Sequence, residues 1–134
     1  MGFLDSFKRW KSRLHPENRN VTWAVCIEKS GFTLARRSDG GEERTHSKWA
    51  EIQTVHAFKR DCFGFDQINL QFEFEDGSAT DVSENDEGYK EFLLALPACI
   101  PGFPAETEWW EKVAKPPFAR NWTCLYRRPD AQRE

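Results

Sequence analysis

The sequence predicts an α+β domain built on antiparallel sheet, with an amphipathic helix before the strands and further helices after them. Three observations predict it. Hydropathy alternates with a period of two through most of residues 21 to 83, turn residues interrupt that stretch at short intervals, and the apolar period lengthens to that of a helix from Tyr89 onward.

Residues 2 to 14 set Phe3, Leu4, Phe7, Trp10 and Leu14 at three- and four-residue steps, with Lys8, Arg9, Lys11 and Arg13 filling the other side. The spacing predicts a basic amphipathic helix over 1–15, ended by His15-Pro16. Its aromatic stripe either packs on the domain or lies on an anionic membrane surface, because cations opposite Phe and Trp are what an interfacial helix needs.

From residue 21, Val21, Trp23, Val25 and Ile27 share one face of a strand and Thr22, Ala24, Cys26 and Glu28 the other. Lys29-Ser30-Gly31 turns the chain into a second strand through Phe32 and Leu34, and Ser38-Asp39-Gly40-Gly41 reverses it into residues 42 to 48. These three strands form a meander. Residues 50 to 60 hold a fourth strand, whose apolar phase slips between Ile52 and Val55 and so predicts a bulge or extra turn at its start. Ile68, Leu70, Phe72 and Phe74 then alternate with Asn69, Gln71, Glu73 and Glu75, which makes one face core and the other wet. Asp76-Gly77 turns this strand into residues 78 to 83.

Asn85 or Asp86 can cap a helix carrying Tyr89, Phe92, Leu93 and Leu96, stopped by Pro97. After a stiff connector, Thr107 can cap a second helix with Trp109, Trp110 and Val113, ended by Pro116-Pro117. A last strand is expected to place Trp122, Cys124 and Tyr126 on one face. The expected organisation is a single domain over 1–134, with a sheet-and-helix core over 20–128 and a frayed tail over 129–134.

The chain has 134 residues, enough to bury a core without disulfides or metals, and its six Trp and eleven Phe supply the apolar bulk. Cys26, Cys62, Cys99 and Cys124 stand far apart, outside any C-x-x-C pair or zinc spacing, and read as reduced and mostly buried. No stretch is long and apolar enough to span a bilayer, and the N-terminus lacks an apolar signal core, so a cytoplasmic location is expected.

Six mostly antiparallel strands followed by a helix, with Trp49-Ala50-Glu51-Ile52 and Val55 opening a strand, resemble bacterial pleckstrin-homology-like domains. In those domains a W-x-x-I-x-x-V segment commonly marks a strand of the curved sheet. The segment from Ala57 to Asp66 with Ile68 and Leu70 also resembles small bacterial proteins of unknown function. The resemblance covers roughly residues 20 to 97. It implies a curved half-barrel closed by a C-terminal helix, to which this chain adds a second helix and a strand. It implies no catalytic residue and no ligand.

Hydrolytic or transfer chemistry needs a nucleophile, a base beside it and a group to hold developing charge. His15, His46 and His56 belong to no local motif with Ser47, Cys62 or Asp61. The nucleotide-binding glycine signatures and the nucleophile elbow are absent, and the acidic residues do not match a calcium loop. The sequence therefore predicts no catalytic residue, no metal and no cofactor.

Charge is segregated. From Glu73 to Glu91 eight acidic residues stand against one lysine, whereas residues 112 to 134 carry six Lys and Arg against two acids. Glu73, Glu75, Asp81, Glu84, Asp86 and Glu87 are either a solvated face or a docking site for a basic protein. Basic residues confined to the two ends argue against a nucleic-acid channel. The leading expectation is a non-enzymatic bacterial protein-binding domain, in its most specific form an immunity protein that neutralises a cognate toxin. The alternative is a peripheral membrane adaptor that uses Phe3, Phe7, Lys8, Arg9, Trp10, Lys11 and Arg13.

Overall fold

A computed structural model describes residues 21–61, 66–117 and 119–129. The helix expected over 1–15, Cys62 and the tail from residue 130 lie outside the described residues.

Strands β1 (Thr22–Ile27), β2 (Gly31–Ser38) and β3 (Gly41–Lys48) form the expected antiparallel meander. Gly31 lies opposite Lys48 so closely that a Cβ there would sit 1.7 Å from Ser47 O, and only glycine fits. A second antiparallel sheet has the order β6-β5-β4-β7, built from β4 (Ile52–Asp61), β5 (Asp66–Phe74), β6 (Ala79–Ser83) and β7 (Thr123–Arg127). Among the described residues the strands thus fall in two sheets and do not close into a barrel. The phase slip between Ile52 and Val55 corresponds to a 3-10 turn over Trp49–Glu51, followed by a register shift between Ile52 and Thr54.

The two sheets and helices α1 (Tyr89–Cys99) and α2 (Glu106–Ala114) share one core. Phe32 of β2, Phe72 of β5 and Phe92 of α1 meet at its centre, with ring centroids 5.0 to 5.7 Å apart in tilted and edge-on arrangements. Tyr89, Phe92, Leu93 and Leu96 form the buried stripe of α1, as their spacing predicts.

Several details differ from the sequence reading. Pro97 lies inside α1, which continues to Cys99, because a proline so near the end removes little of the hydrogen-bond ladder. The residue preceding α1 is Gly88, not Asn85 or Asp86. Likewise α2 starts at Glu106 after Ala105, and the Glu108 carboxylate accepts the Ala105 N–H at 2.8 Å, which displaces Thr107 from the capping role. Asn69 is buried rather than wet, because it stands in the ladder between buried Phe58 and buried Ser83.

In β7 the register shifts between the pairs Val55–Tyr126 and His56–Cys124, so Leu125 is an extra residue. Leu125 and Tyr126 therefore both pack on the core, while Cys124 and Trp122 face outward. Trp122 stacks on Phe58, with centroids 4.3 Å apart and planes 16° from parallel. Cys26 and Cys124 are exposed free thiols and Cys99 is half-buried, contrary to the expectation of mostly buried cysteines.

One charged residue holds the C-terminal part in place. Lys59 follows Val55 and Ala57 at alternate positions of β4 and is 3% exposed. Its ammonium donates to Asp66 Oδ2 at 3.1 Å, to Ala114 O at 2.7 Å and to Pro116 O. Three acceptors meet three protons, and two of them are carbonyls at or just beyond the C-terminus of α2, where a cation is favoured. The Asn121 amide adds bonds to Val113 O at 3.0 Å and Pro116 O at 3.1 Å.

Candidate partner-binding surface

The acidic residues from Glu84 to Glu87 occupy the turn between β6 and α1, which is tied down on three sides. Internally, Ser83 N–H donates to Asp86 Oδ2 at 2.9 Å, Asp86 N–H donates to Ser83 O at 2.9 Å, and Asn85 N–H donates to Ser83 Oγ at 3.2 Å. Toward β5, Glu84 N–H donates to Ile68 O at 2.9 Å and the Glu84 carboxylate accepts Ile68 N–H at 2.8 Å. Toward β1, Glu87 N–H donates to Trp23 O at 2.9 Å and Val25 N–H donates to Glu87 O at 2.8 Å. The next residue, Gly88, has φ of 84°, and a Cβ on it would lie 2.4 Å from Val25 O. Glycine is required there both by the left-handed backbone and by the close approach of β1.

The six acidic residues expected to act together have different surroundings. Glu84 and Glu87 are exposed, whereas Asp86 is buried and spent on the turn. Asp81 is buried and accepts Arg60 Nη2 at 2.8 Å. Glu73 accepts the Thr54 hydroxyl at 3.2 Å, and Glu75 pairs with Arg128 at 3.0 Å. Glu87 pairs with Arg37 at 2.8 Å through a side chain that is 72% exposed. The run of β5 from Ile68, where Glu84 is tied, to Glu75 spans about 20 Å at the usual rise per residue. That exceeds the screening length of about 8 Å at physiological ionic strength. Glu73 and Glu75 therefore belong to one locality, and Glu84, Asp86 and Glu87 to another.

Burial pushes the Tyr89 hydroxyl well above the usual tyrosine range, and the carboxylates of Glu84, Glu106 and Asp86 add to the effect. Glu106 thus acts on the same buried hydroxyl as the turn. Beside the turn, a groove of about 660 Å³ is lined among the described residues by Thr22, Trp23, Arg60, Gln67, Asn85 and Asp86, with Glu87 at its side.

A polar cluster that the sequence reading missed lies on the outer side of the meander. His46 Nε2 is 3.2 Å from Ser30 Oγ, and His46 Nδ1 is 3.4 Å from both Glu28 Oε1 and Thr33 Oγ1. The Thr33 hydroxyl donates to Glu28 and, ahead of His46 and Arg44, holds that carboxyl below its usual range. A serine, a histidine and a carboxylate in line have the order of a nucleophile, a base and its orienting group. Here all three are exposed, Thr33 competes for both the carboxylate and Nδ1, and the contacts join the β1–β2 turn to β3. Among the described residues no group of three or more His, Cys, Asp or Glu is placed to hold a metal ion. No helix among them is long and apolar enough to cross a membrane.

No protein-family model, curated protein or solved structure matches the chain.

Proposed function

We propose that the chain is a non-enzymatic protein-binding domain that presents the β6–α1 turn to a basic surface of another protein, with Glu106 of α2 adding to the negative field. The observation that carries this reading is the fixed position of Glu84 and Glu87. Both are exposed, yet their backbone is bonded to β5 on one side and β1 on the other. A backbone held in this way presents the two charges without further ordering of the turn, and such charges speed a partner's encounter more than they deepen its affinity.

An immunity protein that covers the basic active site of a cognate toxin is the most specific form of this proposal. The pleckstrin-homology-like reading of the fold belongs to it as well, with Trp49, Ile52 and Val55 in a structural role at the start of β4. The membrane-adaptor alternative rests on residues 1–15, and no observation on the described residues favours it.

Capture of binding proteins by the full chain, compared with a Glu84→Gln/Glu87→Lys/Glu106→Lys variant, tests the proposal. Asp86 is left intact because its carboxylate holds the turn, and Gln at position 84 keeps an acceptor for Ile68 N–H. A basic protein retained by the wild type and lost by the folded variant supports the reading. Equal retention by both refutes it.

A further inference from the structure

The three-stranded sheet has one uncovered edge among the described residues. The outer side of β1 is bonded to Glu87, whereas β3 pairs only with β2. Trp49 N–H donates to Ser30 O, one step beyond the Gly31–Lys48 pair. Backbone groups of an antiparallel ladder alternate in direction from residue to residue. Gly41, Glu43, Thr45 and Ser47 therefore turn theirs toward β2, and Glu42, Arg44, His46 and Lys48 turn theirs outward. Those four residues are all exposed.

Charged edge strands ordinarily resist pairing. On β3, however, the signs are ordered: Glu42 and Glu43 come first, Arg44, His46 and Lys48 after. A parallel copy would set like against like. An antiparallel copy sets unlike against unlike, and only when its register is right. We propose that β3 pairs antiparallel with β3 of a second copy of this chain, with Thr45 on the two-fold axis.

That register places Glu42 opposite Lys48 of the second copy and Lys48 opposite its Glu42. Both are outward-bonding positions, and both lie on the same face of the sheet. Arg44 falls opposite His46 of the second copy. Each of these already has a carboxylate nearby: Glu42, which Arg37 shares at 2.8 Å, lies 2.6 Å from Arg44, and Glu28 lies 3.4 Å from His46. Moving the axis to Arg44 sets Arg44 against Arg44, and moving it to His46 sets Arg44 against Lys48. An axis between residues would oppose outward-bonding positions to inward-bonding ones and form no ladder. The result is an isologous six-stranded sheet, closed by its two-fold axis, with the β1 edge of each copy bonded to its own Glu87 at Trp23 and Val25.

Light scattering and sedimentation equilibrium of the full chain test the proposal, with Cys26 and Cys124 replaced by serine throughout. The wild type is expected to dimerise reversibly, and Lys48→Glu to weaken the dimer about tenfold, because two attractive cross-strand pairs become repulsive. The Glu42→Lys/Lys48→Glu double variant restores the pairs with their signs exchanged and is expected to recover the dimer. Under mild oxidation Thr45→Cys should cross-link two chains faster than Glu43→Cys or Ser47→Cys. A chain that stays monomeric up to submillimolar concentration overturns the proposal. So does a dimer indifferent to Lys48→Glu, a folded double variant that does not recover, or cross-linking that does not favour position 45.

Discussion

Lys59 Nζ lies 3.1 Å from Asp66 Oδ2 while only 3% of the lysine is exposed, and the same ammonium also bonds the carbonyls of Ala114 and Pro116. Breaking a buried pair on one side leaves the other side desolvated and uncompensated. Lys59→Met is expected to lower stability by roughly 3–5 kcal/mol, because the Asp66 carboxylate loses its ammonium partner and the Ala114 and Pro116 carbonyls each lose a bond. Urea denaturation measures the change. A loss near zero would mean that the ammonium is not the fastener between β4 and the C-terminus of α2.

Gly88→Ala is expected to detach β1 from the β6–α1 turn. The backbone there has φ of 84°, and the added Cβ would lie 2.4 Å from Val25 O. Left-handed geometry alone costs a non-glycine residue about 1–2 kcal/mol, and the clash adds to it. Hydrogen exchange at the Val25 and Glu87 amides should quicken more than at amides of β5. Uniform quickening would point to global destabilisation instead.

Phe72 is fully buried between Phe32 and Phe92. Phe72→Ala is expected to cost about 3–5 kcal/mol, and Phe72→Asp to leave the chain unfolded, since an unpaired charge would enter the core. The exposed neighbour behaves differently: Glu73→Gln should stay within about 0.5 kcal/mol of wild type. Thermal melting of the three variants checks the assignment of the two faces of β5.

Tyr89 makes the fold sensitive to alkali. Its hydroxyl ionises far less readily in the folded chain than in the unfolded one, because burial and then Glu84, Glu106 and Asp86 oppose the phenolate. Above a pH of about 10, the ordinary tyrosine value, the unfolded chain sheds this proton while the folded chain keeps it. The difference therefore stabilises the unfolded state, and stability falls as pH rises through that region. Denaturation midpoints between about pH 8 and 11 should fall less steeply in Tyr89→Phe than in wild type. Identical slopes would contradict the placement of the hydroxyl.

Where local pattern decided the structure, the sequence was readable. Ile68 to Phe74 alternate because one face of β5 meets the core, and the slip between Ile52 and Val55 marks the register shift that opens β4. Features set by distant partners were not readable. Nothing near Lys59 in sequence announces the carbonyls of Ala114 and Pro116. The Ser30–His46–Glu28 cluster exists because the meander register sets Thr33 opposite His46. The extra residue Leu125 reverses the expected facing of Tyr126, and no spacing signals it.

The acidic stretch was legible as a run of charge but not as a surface. Glu73 and Glu75 sit at one end of β5 and the Ser83–Glu87 turn at the other, while Asp81 and Asp86 are buried. Glu106 arrives from a helix well beyond the run. A linear count of charge cannot separate a carboxylate paired with Arg60 from one that faces solvent.

The most direct test of the docking proposal is the association rate of a captured basic partner with the wild type and with the Glu84→Gln/Glu87→Lys/Glu106→Lys variant, each at low and high salt. The account predicts fast association of the wild type that slows as salt rises, and slow, nearly salt-independent association of the variant. Equal rates and equal salt dependence for two folded proteins would contradict it.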